Sequence, residues 1–131
     1  MPCKALRAAG AHQCCRYSML VVSPKINPSS KRYQRLALEV FNRVDALKFV
    51  VEADKSSPYH ELPEYVYDWV MKKNTASKVY VSPCTIYLRP VAENEIASIW
   101  TQGLINREET AANYAYAAEL CIKNGYSLSC Q

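Results

Sequence analysis

Acidic residues are missing from the first 38 positions of the chain. The first is Glu39, and Lys4, Arg7, Arg16, Lys25, Lys31, Arg32 and Arg35 all precede it. An acid-free N-terminus containing Arg and Ala has the composition of a transit peptide. An irregular leader over residues 1–19, or the scar of a missing upstream segment, accounts for it equally. No apolar run approaches the ~18 residues that a spanning helix needs, so a soluble, cytoplasmic protein without a membrane partner is expected. Of the six cysteines, Cys3, Cys14, Cys15, Cys84, Cys121 and Cys130, no two form a C-x-x-C pair. Cys14 and Cys15 are neighbours, a poor arrangement for holding one metal. The chain is too long and too hydrophobic to need a disulfide framework, so reduced thiols are expected. Histidine is scarce as well. His12 falls in the leader and His60 in a loop, and no convincing acid/base pair accompanies either.

What remains is an ordinary globular composition. The 131 residues are 50% hydrophobic and 21% charged, which suits one domain able to bury a core. The net charge of +4 is mild. The basic first forty residues could attract nucleic acid through charge alone, with steep salt dependence. No aromatic stacking platform or recognised motif accompanies them, so nucleic acid is not the expected partner.

Leu20-Val21-Val22-Ser23-Pro24-Lys25 is the most informative stretch. Three apolar β-formers run into Ser-Pro-Lys, which reads as a short buried strand over residues 20–23 with a hydroxyl and an ammonium group at its end. In an open parallel sheet, ligands bind at the carboxyl ends of strands. An ordinary strand end with a solvated lysine explains the same residues. A helix is expected over 31–44, with Leu36, Val40, Phe41 and Val44 at helical spacing. Its basic start, Lys31-Arg32, opposes the helix dipole. Residues 46–51 read as a second buried strand, interrupted by Lys48, which implies a sheet edge or a side chain leaving the strand end. A second helix follows over 64–73. Val79-Tyr80-Val81 is a third strand, ending in Ser82-Pro83-Cys84-Thr85, and Ile86-Tyr87-Leu88 continues as a short extended piece. Residues 92–105 are ambiguous. Asn106 caps a third helix with Glu109 at its third position; Ala111, Tyr114, Ala115, Ala118 and Cys121 or Ile122 line its inner face. Gly125 stops it, and residues 126–130 form the last strand.

This alternation predicts an α/β fold with about four parallel strands alternating with three helices. In order, Val22-Ser23-Pro24-Lys25-Ile26-Asn27, Asp45-Ala46-Leu47-Lys48-Phe49-Val50, Val79-Tyr80-Val81-Ser82-Pro83 and Asn124-Gly125-Tyr126-Ser127-Leu128-Ser129-Cys130-Gln131 resemble the C-terminal half of 7-carboxy-7-deazaguanine synthase. That family consists of radical S-adenosylmethionine (SAM) enzymes of queuosine biosynthesis. The resemblance covers about residues 20–131 and implies a partial, modified TIM-type barrel. It implies conversion of the pterin substrate 6-carboxy-5,6,7,8-tetrahydropterin to 7-carboxy-7-deazaguanine with loss of ammonia, using SAM, a [4Fe–4S] cluster and magnesium. It also implies SAM contacts from Ser23, Pro24 and Lys25, and from Ser82, Pro83, Cys84 and Thr85, with Ser82 standing where the family has Gln. Arg89-Pro90 is a rival alignment for the second set.

The departures are as informative as the matches. The family's cluster motif, C-x₃-C-x₂-C, occurs nowhere in the sequence, and no Gly-Gly-Glu-Pro segment is present. The chain is therefore expected to be a C-terminal piece of such an enzyme, inactive alone, with a complementary N-terminal half or a homodimer partner. The alternative expectation is a non-catalytic SAM- or nucleotide-binding module. In it the two strand ends form the cradle, Lys25 and Lys48 supply charge, and Tyr80 or Tyr87 supplies a stacking surface.

Overall fold

The computed structural model describes residues 18–88 and 105–130. The proposed leader, the ambiguous segment before Ile105, Arg89-Pro90, and Cys3, Cys14 and Cys15 fall wholly or almost wholly outside that range. Strands β1 (Val21–Val22), β4 (Ala46–Val51), β5 (Val79–Pro83) and β6 (Ser127–Leu128) form a parallel sheet in the order β1-β4-β5-β6. Helices α1 (Leu38–Arg43), α2 (Tyr65–Lys73) and α3 (Arg107–Asn124) lie in the three connections. The α/β class, the four parallel strands and the three helices agree with the sequence reading. The sheet is open among the described residues, with β1 and β6 at its edges, and does not close into a barrel.

Period-two alternation builds the core. Leu47, Phe49 and Val51 on β4 are fully buried, and across the register they face Val79, Val81 and Pro83 on β5. They join Val66 and Trp69 of α2 and Ala117 and Cys121 of α3 in one cluster. Side chains of Lys48 and Val50 point to the other side of the sheet and are half-buried beside Tyr80 and Ser82. Lys48 therefore sits mid-strand in an internal strand, neither at an edge nor at a strand end.

The first expected helix is the main correction. Residues 31–44 do not form one helix. Strands β2 (Ile26–Asn27) and β3 (Arg32–Tyr33) instead make an antiparallel hairpin, and α1 begins only at Leu38. Turn chemistry explains the difference. The Asn27 side chain accepts from the Ser29 N–H at 2.9 Å, the Ser30 hydroxyl accepts from the Arg32 N–H at 3.4 Å, and Lys31 adopts a left-handed φ of 59°. Such local side-chain bonds compete with helix formation. Lys31 and Arg32 thus oppose no helix dipole.

The third helix has the expected bounds. Asn106 accepts from the Glu109 N–H at 3.1 Å, and Gly125 closes the other end at φ 77°. Its inner face is rotated from the expected one. Asn113, Ala117 and Cys121 are buried, whereas Ala111, Ala115 and Ile122 are exposed. Tyr87 makes a single antiparallel bridge to Ile105, in place of a strand over 86–88.

Candidate functional site at the strand ends

The segments leaving β1, β4 and β5 enclose a cavity of about 230 Å³, lined by Ser23, Pro24, Lys25, Tyr33, Val50, Tyr59 and Cys84. Each wall has a local cause. Pro24 ends β1 and is itself buried, so the chain turns at once and leaves Lys25 exposed beside the mouth. The Lys25 ammonium lies 3.4 Å from the Ser23 hydroxyl. The hairpin that follows delivers Tyr33, whose ring meets Phe49 edge-on at 5.4 Å and whose hydroxyl donates to the Val50 carbonyl at 3.4 Å. Tyr59 meets Tyr33 edge-on at 6.3 Å.

Of the seven residues that the resemblance assigns to SAM, four line this cavity: Ser23, Pro24, Lys25 and Cys84. Ser82 and Pro83 are buried inside β5, which runs on through both, and Thr85 is exposed. The Ser82 hydroxyl is buried and has no hydrogen-bond partner among the described residues. Lys48, Tyr80 and Tyr87 are not among the lining residues, so the aromatic surface at the cavity belongs to Tyr33 and Tyr59. Tyr33 escaped notice because it fell in the stretch read as helix. Tyr59 follows the Ser56-Ser57-Pro58 turn, a position that carries no motif.

The Cys84 thiol and the Tyr33 phenol in the walls are shifted toward their neutral forms. Burial, reinforced by the Glu52 carboxylate, pushes the Cys84 thiol up, which keeps it protonated near neutrality. Burial, with Tyr59, Tyr65, Glu52 and Tyr116 around it, raises the Tyr33 phenol as well. The cavity thus presents a hydroxyl, an ammonium group, two aromatic rings and a neutral thiol, with no activated nucleophile. His60 is engaged elsewhere. Its ring stacks on Tyr116 at 4.6 Å and its Nδ1 lies 3.1 Å from the Glu52 carbonyl.

A wider depression of about 870 Å³ lies between the hairpin and the start of α2. Lys31, Arg32 and Arg35 contribute cations to it, and Glu61, Glu64 and Asp68 contribute acids. It takes in none of the residues that the resemblance assigns to SAM, and its cations Lys31, Arg32 and Arg35 belong to the basic N-terminal stretch, here set among acids.

Asn113 is a third residue that sequence reasoning missed. Its side-chain oxygen accepts from the Ala53 N–H at 2.7 Å, and its side-chain nitrogen donates to the Cys84 carbonyl at 2.9 Å. Thr110 and Asn106 extend the same edge of α3. The Thr110 hydroxyl accepts from the Ile86 N–H at 3.1 Å, and the Asn106 N–H donates to the Ile86 carbonyl at 2.7 Å. The available signal was the spacing of Asn106, Thr110, Asn113, Ala117 and Cys121, small or polar residues on one helical stripe.

Among the described residues no group of three or more His, Cys, Asp and Glu side chains could hold a metal ion. No helix among them is long and apolar enough to cross a membrane. No family model, curated protein or solved structure matches the chain.

Proposed function

We propose that the cavity at the carboxyl ends of β1, β4 and β5 binds SAM or a closely related nucleoside. In this reading the chain is the SAM-binding part of a partial-barrel lyase that resembles 7-carboxy-7-deazaguanine synthase. The supporting observation is that two strand ends far apart in sequence, Ser23-Pro24-Lys25 and Cys84, meet in one cavity. Strand ends of a parallel sheet are where such ligands sit in related architectures. The volume is below the ~300–1,000 Å³ of a typical ligand site, so it suits part of the molecule, with the remainder reaching past Lys25. Tyr33 and Tyr59 offer a base a ring surface, and Lys25 and Ser23 offer a carboxylate or ribose their polar partners.

The residues present do not fit the iron–sulfur cluster that the resemblance implies. The cysteine spacing it needs is missing from the sequence, and the described residues hold no alternative set of ligands. What this chain contributes is therefore binding. Formation of 7-carboxy-7-deazaguanine from the pterin would need cluster ligands from outside these 131 residues. The same walls, with Lys25 beside the Tyr33 and Tyr59 rings, favour one further reading, a non-catalytic module for another nucleotide.

Calorimetric titration of SAM, and in parallel of AMP, tests both. SAM is expected to bind. Lys25→Ala should weaken it about fivefold, the size of roughly 1 kcal/mol from an exposed charged contact. Tighter binding of AMP than of SAM would move the assignment to the nucleotide module. No SAM binding, or an affinity indifferent to Lys25→Ala, would remove the SAM reading.

A further inference from the structure

We propose that Asn113 is a positioning residue. Its buried amide clamps the segment after β4 to the segment after β5 and so holds Cys84 on the cavity wall. Three observations carry this. Asn113 is only 4% exposed, in the middle of a helix whose other buried residues are Ala117 and Cys121. An amide in such a place is costly unless bonded, and both of its polar atoms are bonded, to backbone groups of two different segments. The two backbone groups sit just past adjacent strands. Ala53 follows β4 by two residues, and Cys84 follows β5 directly, with its N–H donating to the Val51 carbonyl at 3.0 Å.

The sheet ladder ends at that bond, so beyond it the two segments have no backbone pairing to each other. Asn113 supplies the next link, from the helix side. The amide matches the task because it offers one acceptor and one donor. A carboxylate would meet the Ala53 N–H but repel the Cys84 carbonyl, and an apolar side chain would leave both unpartnered. Thr110 continues the track one turn earlier by bonding Ile86. The segment from Cys84 to Ile86 is thus laid along α3 and does not hang free over the cavity. The clamp stands on this geometry; its consequence for a ligand rests on the SAM reading above.

The test uses the full chain, with Asn113→Ala and Asn113→Asp. Residue-resolved amide exchange is read at Ala53 and at the core positions Phe49 and Val81. Alkylation by iodoacetamide is read at Cys84 and at the buried Cys121, peptide by peptide, and normalised to a free-cysteine peptide. In Asn113→Ala, loss of a buried hydrogen bond should speed Ala53 exchange about tenfold. Cys84 should react severalfold faster, while Phe49, Val81 and Cys121 stay protected. In Asn113→Asp, Ala53 should stay protected but Cys84 should loosen near neutral pH. Its reactivity should return toward wild type at about pH 5, where a buried carboxyl beside a carbonyl regains a proton to donate. A merely space-filling side chain would show no such recovery.

Unchanged Ala53 exchange and Cys84 reactivity in Asn113→Ala would overturn the clamp. So would loss of protection at Phe49 in both variants, which would make Asn113 a core residue only. SAM titration of the wild type, beside exchange and alkylation, separates the two proposals. If the wild type fails to bind SAM while exchange and alkylation behave as stated, the ligand reading fails and the clamp stands.

Discussion

Ser82 carries a cost that no described neighbour offsets. Its hydroxyl is fully buried at the end of β5, beside Val50 in the register, and has no hydrogen-bond partner. A buried unsatisfied polar group costs roughly 1–3 kcal/mol, whereas removing it with little change of shape is close to neutral or favourable. Ser82→Ala should therefore raise the unfolding free energy of the ligand-free protein by about 1 kcal/mol, read as a higher urea midpoint with an unchanged slope. A lower midpoint would show that the hydroxyl is bonded after all. At this scale the sequence was half legible. The strand–Ser–Pro pattern marked the end of β1, because proline biases the residue before it to an extended conformation and the chain turns at Pro24. It misplaced the end of β5, which runs on through Ser82 and Pro83. It did not mark Asn113, whose role depends on backbone groups 60 and 29 positions away. A periodicity argument sorts residues into apolar and polar, and it places a polar residue outside.

Among the elements, β4 and α3 have the bounds that their residues predict, and the stretch after β1 does not. Six residues from Ala46 to Val51 have only one buried solution. Between Ile26 and Tyr33, helical spacing further along competes with the Asn27-Pro28-Ser29-Ser30 turn, and the turn prevails because Tyr33 then reaches Phe49. The short strand β1 depends on a device of its own. The Asp45 carboxylate accepts from the Leu20 N–H at 2.8 Å and from the Arg43 guanidinium at 2.8 Å, while the Asp45 N–H donates to the Leu20 carbonyl. The Leu20 bond, followed by Arg43, holds that carboxyl below its ordinary range. A carboxyl whose value is lowered by folding stabilises the fold above its unfolded value of ~3.9, and that contribution fades as pH falls through the lowered value. Thermal melts should therefore show the wild type losing more stability than Asp45→Asn as pH drops below about 4, with a constant difference above about 5. Parallel pH curves for the two proteins throughout would show that Asp45 does not couple to folding.

At the scale of the whole molecule, the described residues share one core cluster, and Phe49 is where that core meets the cavity. It is fully buried among β5, α2 and α3 residues, and its ring also supports Tyr33, which lines the binding wall. Truncating it should therefore act on stability and site together. Phe49→Ala should cost about 3–5 kcal/mol, a large share of the ~5–15 kcal/mol that holds a domain folded. Leu38→Ala, at a position 71% exposed, should stay within about 0.5 kcal/mol. Urea unfolding followed by far-UV circular dichroism distinguishes them. If the Phe49→Ala midpoint matched that of Leu38→Ala, the sheet would not be held by this cluster. The same variant bears on how far a strand–helix alternation can be read into function. Alternation implies a parallel sheet, and a parallel sheet implies ligands at its carboxyl ends. The walls of the cavity, however, are set by contacts between elements, Tyr33 on Phe49 and Asn113 on Cys84, and these exist only once the core has formed. A Phe49→Ala protein that kept its secondary structure under mild conditions should for that reason lose the proposed SAM binding along with Tyr33 packing. Retained affinity would mean that the strand ends alone make the site.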